Sequence, residues 1–363
     1  MALVPKHILN LSPYKAGRPI DEVRRELGLK NIIKLASNEN PLGPSPMALA
    51  AVDKSLSKLH RYPDSSGYIL RSRLAELFDL DIKNTIIGAG SEGIMSNIMR
   101  TFLRSDDEIV AAKNSFIGFR VLANASGARV NWVPMDMYKH NLKAMAGAIN
   151  EYTKIIYLAN PDNPTGSYFS IYEFDEFMSY VPSRVLVILD EAYFEYAQEI
   201  EDYPDSMHYR YDNVITLRTF SKIYGLAGLR VGYGFAHHDL IENLLKVKLP
   251  FEPSVIAQNA SVSALDDHAF VKESKETNKD GKKYLQNIFE SNGVTYFDSA
   301  TNFLMIEMPG NAKQFCDFML SNGIILRHLE SFGLIDCVRV SIGTIDEIKT
   351  FEKAVKNFFV EAV

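Results

Sequence analysis

Short apolar runs rich in valine and isoleucine alternate, up to residue 235, with segments whose apolar positions recur at helical spacing. Runs that are apolar on both faces are typical of parallel strands covered by helices on either side. One segment between two runs begins at Ser170, with Glu173 three positions later, and this capping-box spacing predicts the start of a helix. The pattern therefore predicts a mostly parallel seven-stranded sheet. Its strands are residues 85–87, 109–112, 130–133, 155–159, 185–189, 214–217 and 231–235.

A different pattern begins after about residue 250. Residues 270–292 are rich in lysine, glutamate and asparagine with apolar positions at helical spacing, which predicts a long exposed helix. Shorter strand-like runs follow, at residues 294–297, 303–306, 324–326 and 338–342. The segment 250–253 begins and ends with proline, which is typical of a junction. We therefore expect a second, smaller α+β domain.

Composition and charge exclude several classes of protein for this chain. The chain has 363 residues, enough for about two domains with their own cores. Its formal net charge of −6 gives no electrostatic reason to expect nucleic acid or an anionic membrane as a partner. The two cysteines, Cys316 and Cys337, cannot build a disulfide framework or a zinc cage. Because we find neither a signal peptide nor a membrane-spanning apolar stretch, we expect a cytoplasmic protein.

Polar residues follow three successive predicted strands, at the strand ends where open α/β sheets bind ligands. Asn163 follows the strand at 155–159, Asp190 ends the next strand, and Lys222 follows the strand after that. Each has an ordinary alternative on its own: a turn-forming asparagine, a carboxylate that emerges into solvent, a surface lysine. Together they predict a site in which desolvation lowers the pKa of Lys222 and frees its amine as a nucleophile.

Two further features indicate anion binding. Residues 88–93, GAGSEG, lie between a strand and a helix, where backbone N–H groups form a phosphate cradle. The next predicted strand does not end in the acidic residue of an NAD site, so we do not expect a dinucleotide. Arg327 and Arg339 lie in apolar strand contexts, where each meets either a substrate anion or a structural carboxylate. The eight histidines have no metal-ligand spacing, so we expect no metal site.

An ordered set of motifs spans residues 9–344. The motifs are NLSPYKAGR, LASNENPLGPSP, RYPD, GAGSEGI, NPDNPTG, DEAYFEY, RTFSKIYGLAGLRVGYG, GIILR and VRVSIGT. The set resembles the pyridoxal-phosphate aminotransferases of the aspartate-aminotransferase fold, and among them the histidinol-phosphate aminotransferase family. The resemblance implies an α/β protein of fold type I, with a large domain at residues 42–250. It implies a small domain made of residues 1–41 and 251–363, with the N-terminal segment packing over the active site.

The resemblance implies pyridoxal 5′-phosphate as the cofactor. Lys222 would bond to the cofactor aldehyde and then act as general base and acid, and Asp190 would pair with the pyridine N–H. Asn163 and Tyr193 would hydrogen-bond the 3′ oxygen, and Phe116, where the family usually has tyrosine, would stack on the ring. The remaining positions concern the phosphate: Gly90, Ser91, Glu92, Ser221, Arg230, and Tyr62 acting across a homodimer.

For the substrates, Tyr14, Arg327 and Arg339 match positions that bind the phosphate of histidinol phosphate or the carboxylates of glutamate. The resemblance thus implies transamination between L-histidinol phosphate and 2-oxoglutarate, a step of histidine biosynthesis. Phe116 keeps an aromatic amino acid aminotransferase open as an alternative, and a phosphothreonine decarboxylase of the same fold is a second. A ligand-sensing domain of a transcription regulator is a non-enzymatic alternative, although residues 1–41 contain no basic helix-turn-helix.

Overall fold

Strands and helices alternate through most of the chain. The computed structural model describes residues 3–11, 13, 17–204 and 211–361. Its α-helices are α1 Lys6–Leu9, α2 Ile20–Leu27, α3 Pro46–Ser55, α4 Tyr68–Leu77, α5 Gly90–Phe102, α6 Ile117–Ser126, α7 Leu142–Gly147, α8 Ile171–Ser179, α9 Phe194–Ala197, α10 His238–Val247, α11 Val255–Leu265, α12 His268–Ser291, α13 Ala312–Ser321 and α14 Ile345–Glu361. Its strands are β1 Ile33–Lys34, β2 Thr85–Gly88, β3 Glu108–Ala112, β4 Arg129–Val133, β5 Thr153–Ala159, β6 Leu186–Asp190, β7 Val214–Thr219, β8 Gly232–Phe235, β9 Thr295–Tyr296, β10 Phe303–Glu307, β11 Ile324–Ile325, β12 Arg327–His328 and β13 Cys337–Ser341.

Over the described residues, the large sheet has seven strands in the order β2-β8-β7-β6-β5-β3-β4. Strand β8 runs antiparallel to its neighbours β2 and β7, and every other pair is parallel. Side chains of β5 alternate between two cores, with Ile155 and Tyr157 on one face and Ile156 and Leu158 on the other. The predicted mostly parallel sheet, covered on both faces, is therefore confirmed.

Two helix predictions are also confirmed. Helix α8 begins at the predicted capping box, because Ser170 Oγ accepts from the Glu173 N–H at 3.3 Å and Glu173 Oε2 accepts from the Ser170 N–H at 2.7 Å. Helix α12 has 24 residues and spans the segment predicted as a long helix. Among the described residues, no helix combines the length and the apolar character that crossing a membrane requires.

A four-stranded sheet in the order β12-β13-β10-β9 packs with α12, α13 and α14 around a separate core. The predicted strand at residues 324–326 is divided between two sheets. Ile324 and Ile325 form β11, which pairs in parallel with β1, and after Leu326 the chain enters β12, which pairs with β13. This change of sheet brings Arg327 directly opposite Arg339.

The passage between the two sheets runs through α11 and α12. Helix α11 lies in the core of the large-sheet region, where Ala257 and Ala260 pack in one cluster with Ala48 and Leu70. Helix α12 then contributes Leu285 to the core of the four-stranded sheet. The domain boundaries at residues 42 and 250 stay a prediction from the sequence.

Candidate active site

The three strand-end residues singled out in the sequence meet in one cavity. Strands β5, β6 and β7 are adjacent and parallel, so Asn163, Asp190 and Lys222 follow one another along the same edge of the sheet. All three line a cavity of about 180 Å³. Other predicted site residues that line it are Ser91, Glu92, Phe116, Tyr193, Ser221 and Arg230.

Asp190 is a buried carboxylate that lines this cavity. Its Oδ2 accepts a hydrogen bond of 2.8 Å from the Tyr157 hydroxyl, whereas Oδ1 is buried and has no hydrogen-bond partner among the described residues. Burial raises the pKa of Asp190 to about 6, and the Tyr157 hydrogen bond opposes that shift. A desolvated carboxylate oxygen without a partner is costly, so the geometry suits a cationic or N–H donor entering from the cavity.

Tyr157 is a site residue that the sequence reasoning missed. It lies within β5, its ring stacks on Phe119 with centroids 3.8 Å apart, and it is almost completely buried. A buried tyrosine hydroxyl normally finds a hydrogen-bond partner, so a lone tyrosine in the run at 155–159 was a usable signal. Its partner could not be identified from sequence, because that requires knowing that β5 and β6 are neighbours.

Lys222 is half-buried and reaches both this cavity and a second one described below. Burial lowers the pKa of Lys222 to about 8. The positive charges of Arg339 and Arg230 act in the same direction, while Glu39 and Glu92 oppose them. At pH 7 roughly a tenth of the amine is therefore neutral, far more than at its ordinary pKa, and only the neutral amine can act as a nucleophile or proton acceptor.

Asn163 and Tyr193, predicted to contact the same cofactor oxygen, both line the cavity. Tyr193 is buried, which raises its pKa to about 12, and its hydroxyl accepts a hydrogen bond of 2.8 Å from Asn38 Nδ2. Asn163 Oδ1 accepts a hydrogen bond from Arg339 Nη1. Asn38 is a second residue that the sequence reasoning missed, since it lies 155 positions from Tyr193 along the chain.

The N-terminus of α5 forms a cradle of the kind predicted for phosphate. The helix begins at Gly90 without a side-chain cap, which leaves N–H groups of its first turn available to an anion. Arg230 closes one side of the cradle and donates from Nη1 to Ser221 Oγ at 3.4 Å. A Cβ on Gly90 would lie 2.7 Å from Arg230 Nη2, and one on Gly232 would lie 2.4 Å from the Ser91 nitrogen. Both glycines are therefore required for this close approach.

A second cavity, of about 130 Å³, adjoins the first and contains Lys222, Phe116, Arg327 and Arg339 among its lining. The two arginines are cross-strand partners in the β12–β13 pair, so their side chains share one face of the sheet. Like charges in directly opposite positions repel each other, and an anion between or beside them removes that repulsion. The arrangement therefore suits a substrate that carries a phosphate or a distal carboxylate.

The residues present fit pyridoxal 5′-phosphate at both ends of the first cavity. The unpartnered Oδ1 of Asp190 suits a protonated pyridine nitrogen. The uncapped N-terminus of α5, together with Arg230, suits the phosphate. Lys222 lines the same cavity, as a bond to the cofactor aldehyde requires.

Tyr62, a predicted site residue, lines neither of the two cavities. Tyr62 is 81% exposed and stacks on Phe251 with centroids 4.4 Å apart. A role for Tyr62 in the other subunit of a homodimer stays a prediction. Tyr14, predicted to bind substrate, lies outside the described residues.

Known proteins resemble this chain over nearly its whole length. The family model "Aminotransferase class I and II" matches residues 30–355. Histidinol-phosphate aminotransferase of Moorella thermoacetica is 43% identical, with 98% of this chain and 94% of the relative aligned. Histidinol-phosphate aminotransferase 1 of Idiomarina loihiensis is 39% identical, with 98% of both chains aligned.

Solved structures agree with the sequence relatives. The histidinol-phosphate aminotransferase of Sinorhizobium meliloti, crystallised with pyridoxal 5′-phosphate, superposes with a TM-score of 0.92 at 27% identity, covering 100% of this chain and 99% of that one. An aspartate aminotransferase from Thermus thermophilus shares the fold, with a TM-score of 0.85 at 19% identity over 99% of this chain and 100% of that one. The chain belongs to the class I and II aminotransferases and, within them, to the histidinol-phosphate aminotransferase family.

Proposed function

We propose that this chain transfers the amino group of L-histidinol phosphate to 2-oxoglutarate, giving imidazole acetol phosphate and L-glutamate in histidine biosynthesis. Family membership supports the reaction class. The observation that carries the substrate assignment is the pair of facing arginines, Arg327 and Arg339, in the cavity that also contains Lys222. One anion-binding pair serves both halves of the reaction, because the donor carries a phosphate and the acceptor a distal carboxylate. The cytoplasmic location remains a prediction from the sequence.

We propose that pyridoxal 5′-phosphate is held as the fit of the first cavity suggests. Asp190 meets the ring nitrogen, Asn163 and Tyr193 contact the 3′ oxygen, and Phe116 covers one ring face. The phosphate binds in the cradle formed by the backbone of Gly90, Ser91 and Glu92 and by the side chains of Ser221 and Arg230. Bound cofactor supplies an electron sink for the electron pair that is released when the substrate Cα–H bond breaks.

The residues of this chain then have separate tasks in the reaction. Lys222 Nζ accepts the Cα proton, for which a pKa of about 8 leaves a useful fraction of the amine neutral. Arg327 and Arg339 hold the distal anion, which fixes the distance from Cα to Lys222. Phe116 and Phe332 line the second cavity and limit the access of water to the reacting atoms.

The proposed donor is tested by mixing cofactor-loaded protein separately with histidinol phosphate, glutamate and phenylalanine and following the absorption of the bound cofactor. We expect the first two to react at least about tenfold faster than phenylalanine, because charge-assisted bonds to the arginines favour a distal anion. A faster reaction with phenylalanine would establish an aromatic aminotransferase instead. Release of carbon dioxide from phosphothreonine would establish the decarboxylase. Protein that takes up no cofactor would contradict the whole assignment.

We also propose a homodimer, formed around the surface that carries Tyr62. Several exposed large apolar side chains lie in the segments that join at the Tyr62–Phe251 stack. They are Leu56, Leu59, Tyr62, Tyr68, Ile69, Leu249 and Phe251. Gln258 Nε2 links two of these segments, donating to the Asp64 and Pro253 carbonyl oxygens at 3.2 and 2.9 Å. Exposed apolar side chains of this kind favour an interaction site, and a second copy of the chain is the partner that would give Tyr62 a cofactor to contact.

Replacing Tyr62 with phenylalanine should leave the dimer intact and weaken cofactor binding about tenfold to a hundredfold, the effect of one lost hydrogen bond to a charged group. Ile69→Glu should instead separate the subunits. Sedimentation velocity reports whether each variant is a dimer. Absorbance titration of cofactor-free protein measures the affinity of each variant for the cofactor. Tyr172→Phe is the matched control, because Tyr172 on α8 is 77% exposed and is not one of the side chains of the proposed interface. A wild-type monomer with full cofactor affinity would rule out this assembly.

A further inference from the structure

We propose that Asn114 is a positioning residue for substrate recognition: it fixes the turn at residues 329–334 and thereby holds Arg327 where the distal anion of the substrate binds. The inference rests on the proposed function, because it concerns the anion that Arg327 would hold. It is carried by contacts between two segments that lie more than two hundred positions apart in the chain.

The turn at residues 329–334 is a compact unit. Its backbone is closed by hydrogen bonds from the N–H groups of Phe332 and Leu334 to the Leu329 carbonyl, at 2.9 and 3.1 Å, and from Gly333 to Glu330 at 2.8 Å. Leu329 and Phe332 are buried and pack with Met305 of β10. These bonds and contacts hold the turn residues relative to one another, so a constraint on one of them also constrains the others.

Arg327 contacts this turn directly. Its Nη2 donates to Ser331 Oγ at 3.2 Å, and the guanidinium carbon lies 5.8 Å from the centre of the Phe332 ring. Strand β12, which carries Arg327, has only two residues, so its backbone ladder is a weak constraint on the side chain. The turn is therefore one of the constraints on the position of the guanidinium.

Asn114 fastens the turn from the side of the large sheet. Its Nδ2 donates a hydrogen bond of 2.7 Å to the Phe332 carbonyl oxygen. Gly333 has a φ of +81°, and a Cβ there would lie 2.9 Å from Asn114 Nδ2. The two segments are thus fitted to each other, since a glycine at 333 permits both the left-handed backbone and the approach of the amide.

Two further contacts support the same junction. Arg120 Nη1 donates to the Ser331 carbonyl oxygen at 3.4 Å. Ile117 packs against the apolar cluster that contains Leu329 and Phe332. Because Asn114 is separated by only one residue from Phe116, the segment that would cover the cofactor ring also anchors the turn that would orient the anion-binding arginine. The two halves of the substrate site are therefore held in one arrangement.

A guanidinium held in place before binding loses less side-chain entropy when it pairs with an anion. Replacing Asn114 with alanine should therefore lower kcat/KM for histidinol phosphate about threefold to tenfold, the usual effect of one net hydrogen bond. The loss should appear in KM, with kcat and the absorption spectrum of the bound cofactor unchanged. Asn114→Asp should be worse, because a carboxylate would face the Phe332 carbonyl oxygen. Asn213→Ala is the matched control. Asn213 directly precedes β7, and its Nδ2 also donates to a backbone carbonyl oxygen, that of Val185, at 2.8 Å.

A truncated donor separates positioning from general damage. L-Histidinol lacks the phosphate, so its kcat/KM should be the same in wild-type protein and Asn114→Ala if the residue acts through the distal anion. Titration with glutarate, an unreactive dicarboxylate, should show the same threefold to tenfold weakening. Equal losses for both donors, or unchanged glutarate binding, would overturn the proposal. If wild-type protein does not use histidinol phosphate, the proposed function fails, and the glutarate titration alone still decides whether Asn114 positions Arg327.

Discussion

Replacing Lys222 with methionine should reduce transamination by at least about 10³-fold, the range of a lost general acid–base group, and should stabilise the cofactor-free protein. The second effect follows from the pKa of Lys222, which burial lowers from 10.5 to about 8. A shift of this size corresponds to an ionisation penalty on the order of 3 kcal/mol in the folded state. Methionine has a similar length and carries no charge, so the variant escapes the penalty.

The way in which the stability of the wild type changes with pH distinguishes a charge penalty at Lys222 from a change in packing. Below pH 8 the amine is protonated in both the folded and the unfolded chain, so the penalty is complete. Between about pH 8 and 10.5 the folded protein binds fewer protons than the unfolded chain, so the wild type regains stability as the pH rises. In urea unfolding of cofactor-free protein, the gain in free energy of unfolding from Lys222→Met should be smaller at pH 10 than at pH 7. Lys283→Met, at an exposed lysine, is the control, and an advantage independent of pH would contradict the charge argument.

The large sheet and its strand-end residues could be predicted because both depend on short-range rules. Apolar runs of strand length between helical segments indicate buried parallel strands, and the residue that follows each strand lies at the ligand-binding edge. Asn163, Asp190 and Lys222 were found in this way, and the structure places all three around one cavity. Their chemical roles remain predictions.

The rest of the site depends on contacts that periodicity does not encode. Strand order decides that Tyr157 reaches Asp190, and a change of sheet at Leu326 decides that Arg327 faces Arg339. Asn38 and Asn114 are loop residues that act on segments more than 150 positions away. A single polar residue in a loop has many ordinary explanations, so only the folded chain identifies its partner.

Asp190→Asn is expected to lower kcat by about 10² to 10³-fold, the effect of removing one fixed charge or dipole from a site that stabilises developing charge. The same change should stabilise cofactor-free protein above pH 6. Burial raises the pKa of Asp190 from 3.8 to about 6, so the folded wild type loses stability as the pH rises through this window. Above pH 6 the cost of the ionised carboxylate is complete, and asparagine does not incur it. Tyr157→Phe, which removes the hydrogen bond that lowers this pKa, should move the window upward.

Bound cofactor should reverse the order of stability, because a protonated ring nitrogen would give Asp190 Oδ1 the partner it lacks among the described residues. With saturating pyridoxal phosphate, wild-type protein should unfold at a higher urea concentration than Asp190→Asn, and without it at a lower one. Between pH 6 and 8 Asp190 and Lys222 are both charged and attract each other, and each single variant loses that attraction, so the double variant should gain more than the sum of the single variants. Asp106→Asn, at an exposed carboxylate, serves as control. If Asp190→Asn were the less stable protein in both conditions, the carboxylate would have a structural role that does not depend on the cofactor.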